Sequence, residues 1–271
     1  MQNFSTSPMT MVRSLIKNRS LVYQMSKREV VGRYQGSAMG LAWSFFNPIL
    51  MLAVYTFVFS QIFGARWGEG VSQIEFASIL FAGLIVYQLF SECIVRAPSL
   101  ILSNVNYVKK VVFPLEILPW VSLLASLFHA SINTVVLMLF YLVIHGSLAW
   151  TVVFVPVILL PLILVVMGFS WLLASLGVFI RDVSQIIAVV VTAMMFLSPI
   201  FYPASAFPES YQLFFYLNPL TFIIEQIRDV VLWGNLPNWS GLGLYLMAGM
   251  TLALLGFAWF QKTRRGFADV L

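Results

Sequence analysis

The feature that most constrains this chain is a set of six long apolar runs, most of them close to the roughly 20 residues with which a helix crosses a bilayer. The 271 residues are 61% hydrophobic and only 9% charged, with a mean hydropathy of +0.93. A water-soluble core of this size cannot hide that much apolar surface. In bilayer hydrocarbon each segment must satisfy its backbone hydrogen bonds, and unbroken runs favour helices over the short, alternating strands of a barrel.

The predicted fold is therefore an all-α integral membrane protein with six transmembrane helices. The chain is interpreted as a single domain, 1–271. An even number of spans places both termini on the same side of the membrane. The first run follows a long basic stretch and is too long for a signal peptide, so we expect it to remain in the protein. The predicted spans cover 41–63, 76–95, 119–144, 152–179, 184–201 and 240–260.

Lysine and arginine indicate which side holds the termini. They concentrate before the first span, between spans two and three, between spans four and five, and after the last span. Of the 15 basic residues, only Arg66 and Arg228 lie elsewhere. Basic loops stay in the cytoplasm, so the sequence predicts that both termini are cytoplasmic. The net charge of +5 describes this sidedness and does not indicate nucleic-acid binding.

The N-terminal segment 1–38 is predicted to be amphipathic and cytoplasmic. Over residues 10–28 polar residues recur at helical spacing on one side and apolar residues on the other. This pattern is typical of a helix lying on an anionic membrane surface. Two alternatives remain: the helix only anchors the topology, or it also contacts a partner protein.

The segment 202–237 is too polar to cross the membrane and too apolar for a free loop. Four prolines divide it, and Asn218 before a proline is typical of the start of a second short helix. We expect a short re-entrant helical hairpin on the outer face, before the last span. In its second helix, Arg228 is expected to form exposed ion pairs with Glu225 and Asp229.

Groups that perform chemistry are scarce. The single cysteine, Cys93, excludes an intrachain disulfide and a cysteine-rich metal site. No glycine is followed by lysine, so the chain has no phosphate-binding loop of the GxxxxGK[ST] kind. The sequence predicts a non-catalytic subunit with no cofactor or metal of its own. A membrane enzyme acting on lipid-linked sugars is the competing class, and it would need clustered acidic or histidine residues, which the sequence lacks.

Span three carries a polar stripe at helical spacing. His129 lies on it with Ser122, Ser126 and Asn133. Such a stripe is more typical of hydrogen bonds between helices than of a proton relay.

Two local patterns flank the basic regions. Glu92 and Arg96 are four residues apart and are interpreted as a pair that neutralises itself. Gly32, Gly36 and Gly40 recur every fourth residue, which fits either a bare helical stripe for close packing or turn-forming glycines near the membrane surface.

Aromatic side chains, 15% of the chain, are the remaining feature. Their rings stack on sugar faces and offer a polar edge, although contact with lipid or packing would also explain them. They are dense in span one and at the end of span five, at Trp43, Phe46, Tyr55, Phe57, Phe59, Phe196, Phe201 and Tyr202.

These residues resemble a known family. The run from Arg28 to Pro48, including RYQGSAMGLAW and NP, is similar to the entry into the first span in membrane subunits of ABC exporters for O-antigen, capsule and teichoic-acid polymers. The motifs YVKKVVFPLEILP, RDV, SPIFY and LNPL continue the pattern in order across nearly the whole chain. Span one is most similar to the O-antigen permeases called Wzm. One departure is Glu29, where the family pattern has Asp.

The resemblance implies a homodimer with two copies of a separate cytoplasmic ABC ATPase, which would hold the ATP and Mg²⁺. It implies that a polysaccharide on a lipid pyrophosphate carrier crosses the bacterial inner membrane through a channel between the protomers, in contact with membrane lipids. The alternative is the permease subunit of a capsule, teichoic-acid or drug ABC exporter.

The resemblance also suggests roles for particular residues. The loop between spans two and three, around 99–112, would be the coupling helix for the ATPase, and its apolar side chains suggest that it docks onto the protein. The predicted coupling residues are Asn104, Tyr107, Lys109 and Lys110. The channel candidates are Trp43, Phe46, Tyr55, Phe59, Phe196 and Tyr202. The residues predicted to contact lipid headgroups or form a gate are Arg28, Arg33 and Arg228.

Overall fold

In the computed structural model, residues 6–58, 72–109, 113–203, 215 and 217–271 are described, and these parts of the chain contain helices and turns but no strands. Short 3₁₀ turns precede α3, α6 and α7. The helices are α1 Pro8–Lys17, α2 Arg19–Arg33, α3 Trp43–Phe57, α4 Gln73–Arg96, α5 Val105–Lys109, α6 Leu118–His145, α7 Val155–Phe179, α8 Val183–Phe196, α9 Thr221–Arg228, α10 Trp239–Thr263 and α11 Phe267–Val270.

Among the described residues, five helical segments are long and apolar enough to cross a bilayer, and the chain is a multi-pass membrane protein. They overlap the predicted first, second, third, fourth and sixth spans. The run predicted over 184–201 forms α8, whose 14 residues are fewer than the roughly 20 that a crossing needs. The five segments are Gly40–Phe57, Glu75–Ser99, Leu115–His145, Trp150–Phe179 and Trp239–Val270.

The α4 helix forms the centre of the bundle. It contacts α3, α6, α7, α8 and α9, and 72% of its most apolar stretch is buried. In contrast, only 17% of the corresponding stretch of α3 is buried. Both α3 and α8 expose apolar faces, with Phe46 on α3 and Val189 on α8 among the exposed side chains. Both helices therefore present apolar surfaces to lipid or to protein, as do α6 and α10, whose most apolar stretches are 22% and 28% buried.

The helices α7 and α10 pack closely because glycines line their contact. A Cβ atom on Gly168 would lie 2.6 Å from the carbonyl oxygen of Leu252, and one on Gly256 would collide with the carbonyl of Gly168. Small residues allow this backbone approach between membrane helices, where packing rather than water exclusion drives association.

The N-terminal segment forms two helices, where the sequence predicted one over 10–28. The break is at Asn18, whose side chain donates to the Ser14 carbonyl at 2.8 Å and whose backbone leaves the helical region. Val22 on α2 is buried against Ile117 and Val121 at the start of α6. Part of the apolar stripe thus packs on the protein itself.

The glycines after α2 form turns. Gly36 and Gly40 have φ angles of +82° and +52°, and a Cβ atom on either would meet nothing within 4 Å. Of the two alternatives from the sequence, the turn is the correct one at these positions, because the left-handed backbone requires glycine and no partner helix approaches.

Candidate coupling surface and polar cavity

The connection between α4 and α6 docks onto the bundle, as its apolar residues suggested. Leu100 and Ile101 are almost completely buried. A Cβ atom on Gly177 of α7 would collide with the Pro98 carbonyl, so the backbone of this connection lies directly against α7. The docked connection places α5 at the end of the bundle that holds Arg33, Arg96 and Arg264, which we call the basic end.

The predicted coupling residues differ in their surroundings. The ring of Tyr107 stacks on Phe113, with centroids 4.3 Å apart and an angle of 9° between the planes. This side chain therefore packs α5 against the segment that follows it. Asn104 donates to the Leu100 carbonyl at 2.8 Å. Lys109 is exposed, and α11 contacts α5 from the C-terminal side. Lys110 lies outside the described residues. Among the described members, Lys109 offers the most accessible side chain.

Glu116, for which no motif predicted a role, joins three parts of the basic end. Its carboxylate accepts from Arg264 at 2.5 Å and from the Ser14 hydroxyl at 2.8 Å. Its backbone carbonyl accepts from Trp171 at 3.0 Å, and Arg264 also donates to the Phe113 carbonyl at 2.7 Å. One buried carboxylate thus ties α1, the entry to α6 and the C-terminal segment together.

Two ion pairs hold α2 against the end of α4, and we call them the double clasp. Glu29 pairs with Arg96, and Arg33 pairs with Glu92. This corrects the interpretation of Glu92 and Arg96 as a self-neutralising pair: each of them has its partner on α2. Arg28, the neighbouring candidate for headgroup contact, is exposed. The clasp joins the N-terminal helices to the helix that leads into α5.

A cavity of about 360 Å³ opens between α3, α4 and α6 beside the double clasp. Polar side chains and aromatic rings share its wall. Of the lining residues, Arg33 and Glu92 are charged, and they pair with each other. The residues that give it polar or aromatic character are Arg33, Tyr34, Ser44, Asn47, Phe81, Gln88, Ser91, Glu92, Ser126, His129 and Asn133.

The polar stripe of α6 faces this cavity in part. Asn133 donates to the Gln88 side-chain oxygen at 3.0 Å, which is a hydrogen bond between α6 and α4 of the kind that the stripe predicted. The half-buried ring of His129 contacts Tyr34 edge-on, with centroids 6.0 Å apart. These groups therefore join helices and line the cavity at the same time.

The channel candidates do not share one surface. Phe46 and Phe196 expose 47% and 56% of their surface, whereas Trp43, Tyr55 and Tyr202 are half-buried. The ring of Phe196 stacks on Phe201, and the Tyr202 hydroxyl donates to the Phe196 carbonyl. Phe59 lies outside the described residues. Trp43, Phe46 and Tyr55 lie on α3, whereas Phe196 ends α8 and Tyr202 follows it. The role of these residues in a channel stays a prediction.

Arg228 corrects an expectation. It is only 1% exposed, so it does not form the exposed ion pairs predicted for it, and burial removes it from lipid headgroups. Its guanidinium donates to the carbonyls of Ile79 at 2.9 Å and Ile200 at 3.2 Å. A Cβ atom on Gly83 would lie 2.8 Å from this guanidinium, so the glycine leaves room for it. A gate role for Arg228 stays a prediction.

The helix α9 packs inside the bundle against α4 and α7. Before it, the Asn218 side chain accepts from the Leu220 amide at 3.0 Å and donates to the Ser198 hydroxyl at 2.8 Å. Asn218 thus stabilises a turn before α9, which begins at Thr221 with Leu220 as its N-cap, so the predicted cap role of Asn218 is wrong and the helix starts a few residues later than predicted. The first half of the predicted hairpin falls mostly outside the described residues, which include only 202, 203, 215 and 217 there.

A family model described as ABC-2 type transporter matches residues 20–232. The chain belongs to the ABC-2 type transporter family. The match begins in α2 and ends after α9, so it includes the double clasp, the docked connection and the polar cavity.

Individual members of the family align over most of this ABC-2 chain. It is 26% identical over 253 residues to the O-antigen export system permease protein RfbA of Klebsiella pneumoniae, covering 93% of this chain and 95% of that protein. It is 25% identical to the protein of the same name from Myxococcus xanthus, over 96% of this chain and 98% of the relative. The polysialic acid transport protein KpsM of Escherichia coli is 21% identical over 86% of this chain and 90% of its own length.

Proposed function

We propose that this chain is the membrane subunit of an ATP-binding cassette exporter that moves a lipid-pyrophosphate-linked O-antigen polysaccharide across the bacterial inner membrane. The observation that supports this most is the alignment with O-antigen export permeases over 93 to 96% of the chain. The likeness to a polysialic acid transport protein covers 86% of the chain and supports polysaccharide as the wider substrate class.

The proposal includes the assembly. Two copies of this chain associate with two copies of a separate ATPase, which binds ATP and Mg²⁺. The exposed apolar faces of α3 and α8 support contact between the two copies, because none of the described residues covers one face of each helix. The polymer passes between these faces, so Phe46 on α3 and Phe196 on α8 are the aromatic side chains best placed to contact it.

The proposed topology has six crossings, with α8 as the short fifth one. Both termini then lie in the cytoplasm with the basic end, in agreement with the distribution of lysine and arginine. The bilayer accommodates a short crossing by local thinning at modest cost.

Cysteine labelling tests this topology, because the native Cys93 is buried. A cysteine replacing the exposed Ser147 should react with an impermeant reagent added outside, whereas one replacing Asp182 should not. The reverse pattern would overturn this topology.

The proposed route for coupling runs through the basic end. The ATPase contacts α5 and the exposed Lys109, and the docked connection passes the motion to α4. The double clasp then joins α4 to α2. Glu116 holds the entry to α6 to the C-terminal segment, which supports a basic end that moves as a unit.

The test of the proposed function is deletion of the gene in a strain that makes the polymer. We expect surface polymer to disappear and lipid-linked polymer to accumulate inside, and the gene in trans to restore the surface polymer. A strain with its ATPase inactivated serves as the control and should show the same accumulation. Normal surface polymer in the deletion strain would refute the proposal, and export of a drug without any change in polymer would favour the drug-exporter alternative.

A further inference from the structure

The cavity between α3, α4 and α6 has a polar lining, which is unusual for a cavity formed by membrane-crossing helices. Three side-chain amides line it, those of Asn47, Gln88 and Asn133. Asn47 and Gln88 are exposed and Asn133 is half-buried, so these amides are accessible to water or to a ligand. The hydrogen bond between Asn133 and Gln88 satisfies only one donor and one acceptor. Since each amide has two donors and an acceptor oxygen, hydrogen-bonding capacity remains for a ligand.

The charge of the cavity restricts what it binds. Its charged lining residues, Arg33 and Glu92, form an ion pair with each other. The lining therefore has no net charge to hold a phosphate or a cationic drug. A lipid tail would leave the Asn47 amide and the remaining donors and acceptors of Gln88 and Asn133 without partners, which disfavours an apolar occupant.

The remaining walls are rings and apolar groups. Tyr34 and His129 meet edge to face at one side, and the buried Phe81 lies on α4. Ring faces together with neutral amides suit a sugar, which has hydroxyl groups around its edge and C–H groups on its faces. The volume of about 360 Å³ lies at the lower end of the range for small-ligand pockets, which is room for a small ligand such as one or two sugar rings.

We propose that this cavity binds a neutral sugar residue of the exported polymer on its way into the membrane. The proposal rests on the proposed function, and it adds a site within one protomer, separate from any passage between protomers. The amides of Asn47, Gln88 and Asn133 hydrogen-bond the sugar hydroxyls, while Tyr34 and His129 contact its ring. The Arg33–Glu92 pair also lines the cavity, so sugar binding and the double clasp involve the same residue pair.

The first test replaces the amides with apolar groups of similar size. Asn133→Leu and Gln88→Leu should each lower polymer export about tenfold at normal protein level, because hydrogen bonds to the sugar are lost. Thr134→Val is the matched control, since Thr134 lies next to Asn133 but lines a different, apolar groove. That variant should export normally. Export at the wild-type level from both amide variants would overturn the proposal.

The second test does not depend on those variants accumulating. A photoreactive phenylalanine analogue at Asn47 should crosslink to the polymer in cells that synthesise it, as detected with antiserum against the polymer. The same analogue at Val135, which is exposed on α6 but does not line the cavity, is the control and should crosslink less. Crosslinks from position 47 to phospholipid alone would overturn the sugar site.

The two proposals fail in different ways. If the wild-type gene does not restore export to the deletion strain, the proposed function is wrong. If it restores export, but position 47 gives no polymer crosslinks and the amide variants export normally, only the sugar site is wrong.

Discussion

The stability of the protein should depend on which charges of the double clasp are reversed together. Its pairs are partly exposed: the side chains of Arg33 and Glu92 are 46% and 23% exposed, and those of Arg96 and Glu29 are 42% and 19% exposed. Pairs as accessible as these contribute about 0.2 to 1 kcal/mol each. Reversing one charge removes a pair and places like charges in contact, which adds about 1 kcal/mol of repulsion in water. A single reversal should thus cost about 1 to 2 kcal/mol in total.

Pairwise exchange should recover this loss only in part. Exchanging Glu29 with Arg96 restores that pair, but it places arginines four residues apart on α2 and glutamates four residues apart on α4. Like charges at this spacing cost about 0.2 to 0.5 kcal/mol per helix. Exchanging all four residues removes these repulsions as well. The fourfold variant should therefore be more stable than the twofold variant.

The assay is thermal unfolding of the purified protein in detergent at low and high salt. For a chain of this size, about 1 to 2 kcal/mol corresponds to a fall in Tm of about 2 to 8 °C, and salt should reduce the difference. Lys27→Glu, which changes an exposed charge on α2, is the control and should shift stability by less than about 0.5 kcal/mol. The loss of stability in each exchange variant is compared with the added losses of its single reversals. If the exchange variant loses as much as that sum, the four residues do not interact as pairs.

Three further predictions concern the rest of the molecule. Glu116→Gln should destabilise the protein by about 2 to 3 kcal/mol in chemical unfolding, somewhat below the cost of breaking a fully buried pair, whereas the exposed Asp269→Asn should have little effect. Gly256→Ala should cost about 1 to 3 kcal/mol because its Cβ meets the backbone of α7, while Gly243→Ala on the same helix has open space and should not destabilise. Lys109→Ala should leave ATP hydrolysis by the assembled complex intact while reducing surface polymer, and normal export would exclude Lys109 from coupling.

Much of the fold could be predicted because apolar length is a local property. The five crossing segments follow directly from runs of apolar residues, and the docking of the connection after α4 follows from its surplus of apolar side chains. The end of α8 at Phe196 could not be predicted in this way. Apolar residues continue past it to Phe201, but Pro199 disfavours helical backbone at Ser198, and the Asn218 side chain, 20 residues away, donates to the Ser198 hydroxyl.

The position of Arg228 shows a limit of arguments from transfer energies. A charge is costly in hydrocarbon, and this cost led to the expectation of an exposed arginine. The protein interior differs from hydrocarbon, because it supplies backbone carbonyls at fixed positions. Two carbonyls accept from Arg228, and Gly83 provides space beside the guanidinium. Those acceptors belong to Ile79 and Ile200, which are distant in sequence, so composition and spacing did not reveal them.

The double clasp also joins residues far apart in sequence, by 59 and 67 positions, yet its pattern is present in the sequence. Both α2 and α4 contain a glutamate followed four residues later by an arginine, Glu29 with Arg33 and Glu92 with Arg96. Two helices with this same order are complementary only when they run in opposite directions, because the glutamate of each then faces the arginine of the other. The self-neutralising interpretation treated one such pair alone. When two such pairs occur near the same membrane surface, pairing between antiparallel helices leaves all four charges partnered, and this is the arrangement that the protein adopts.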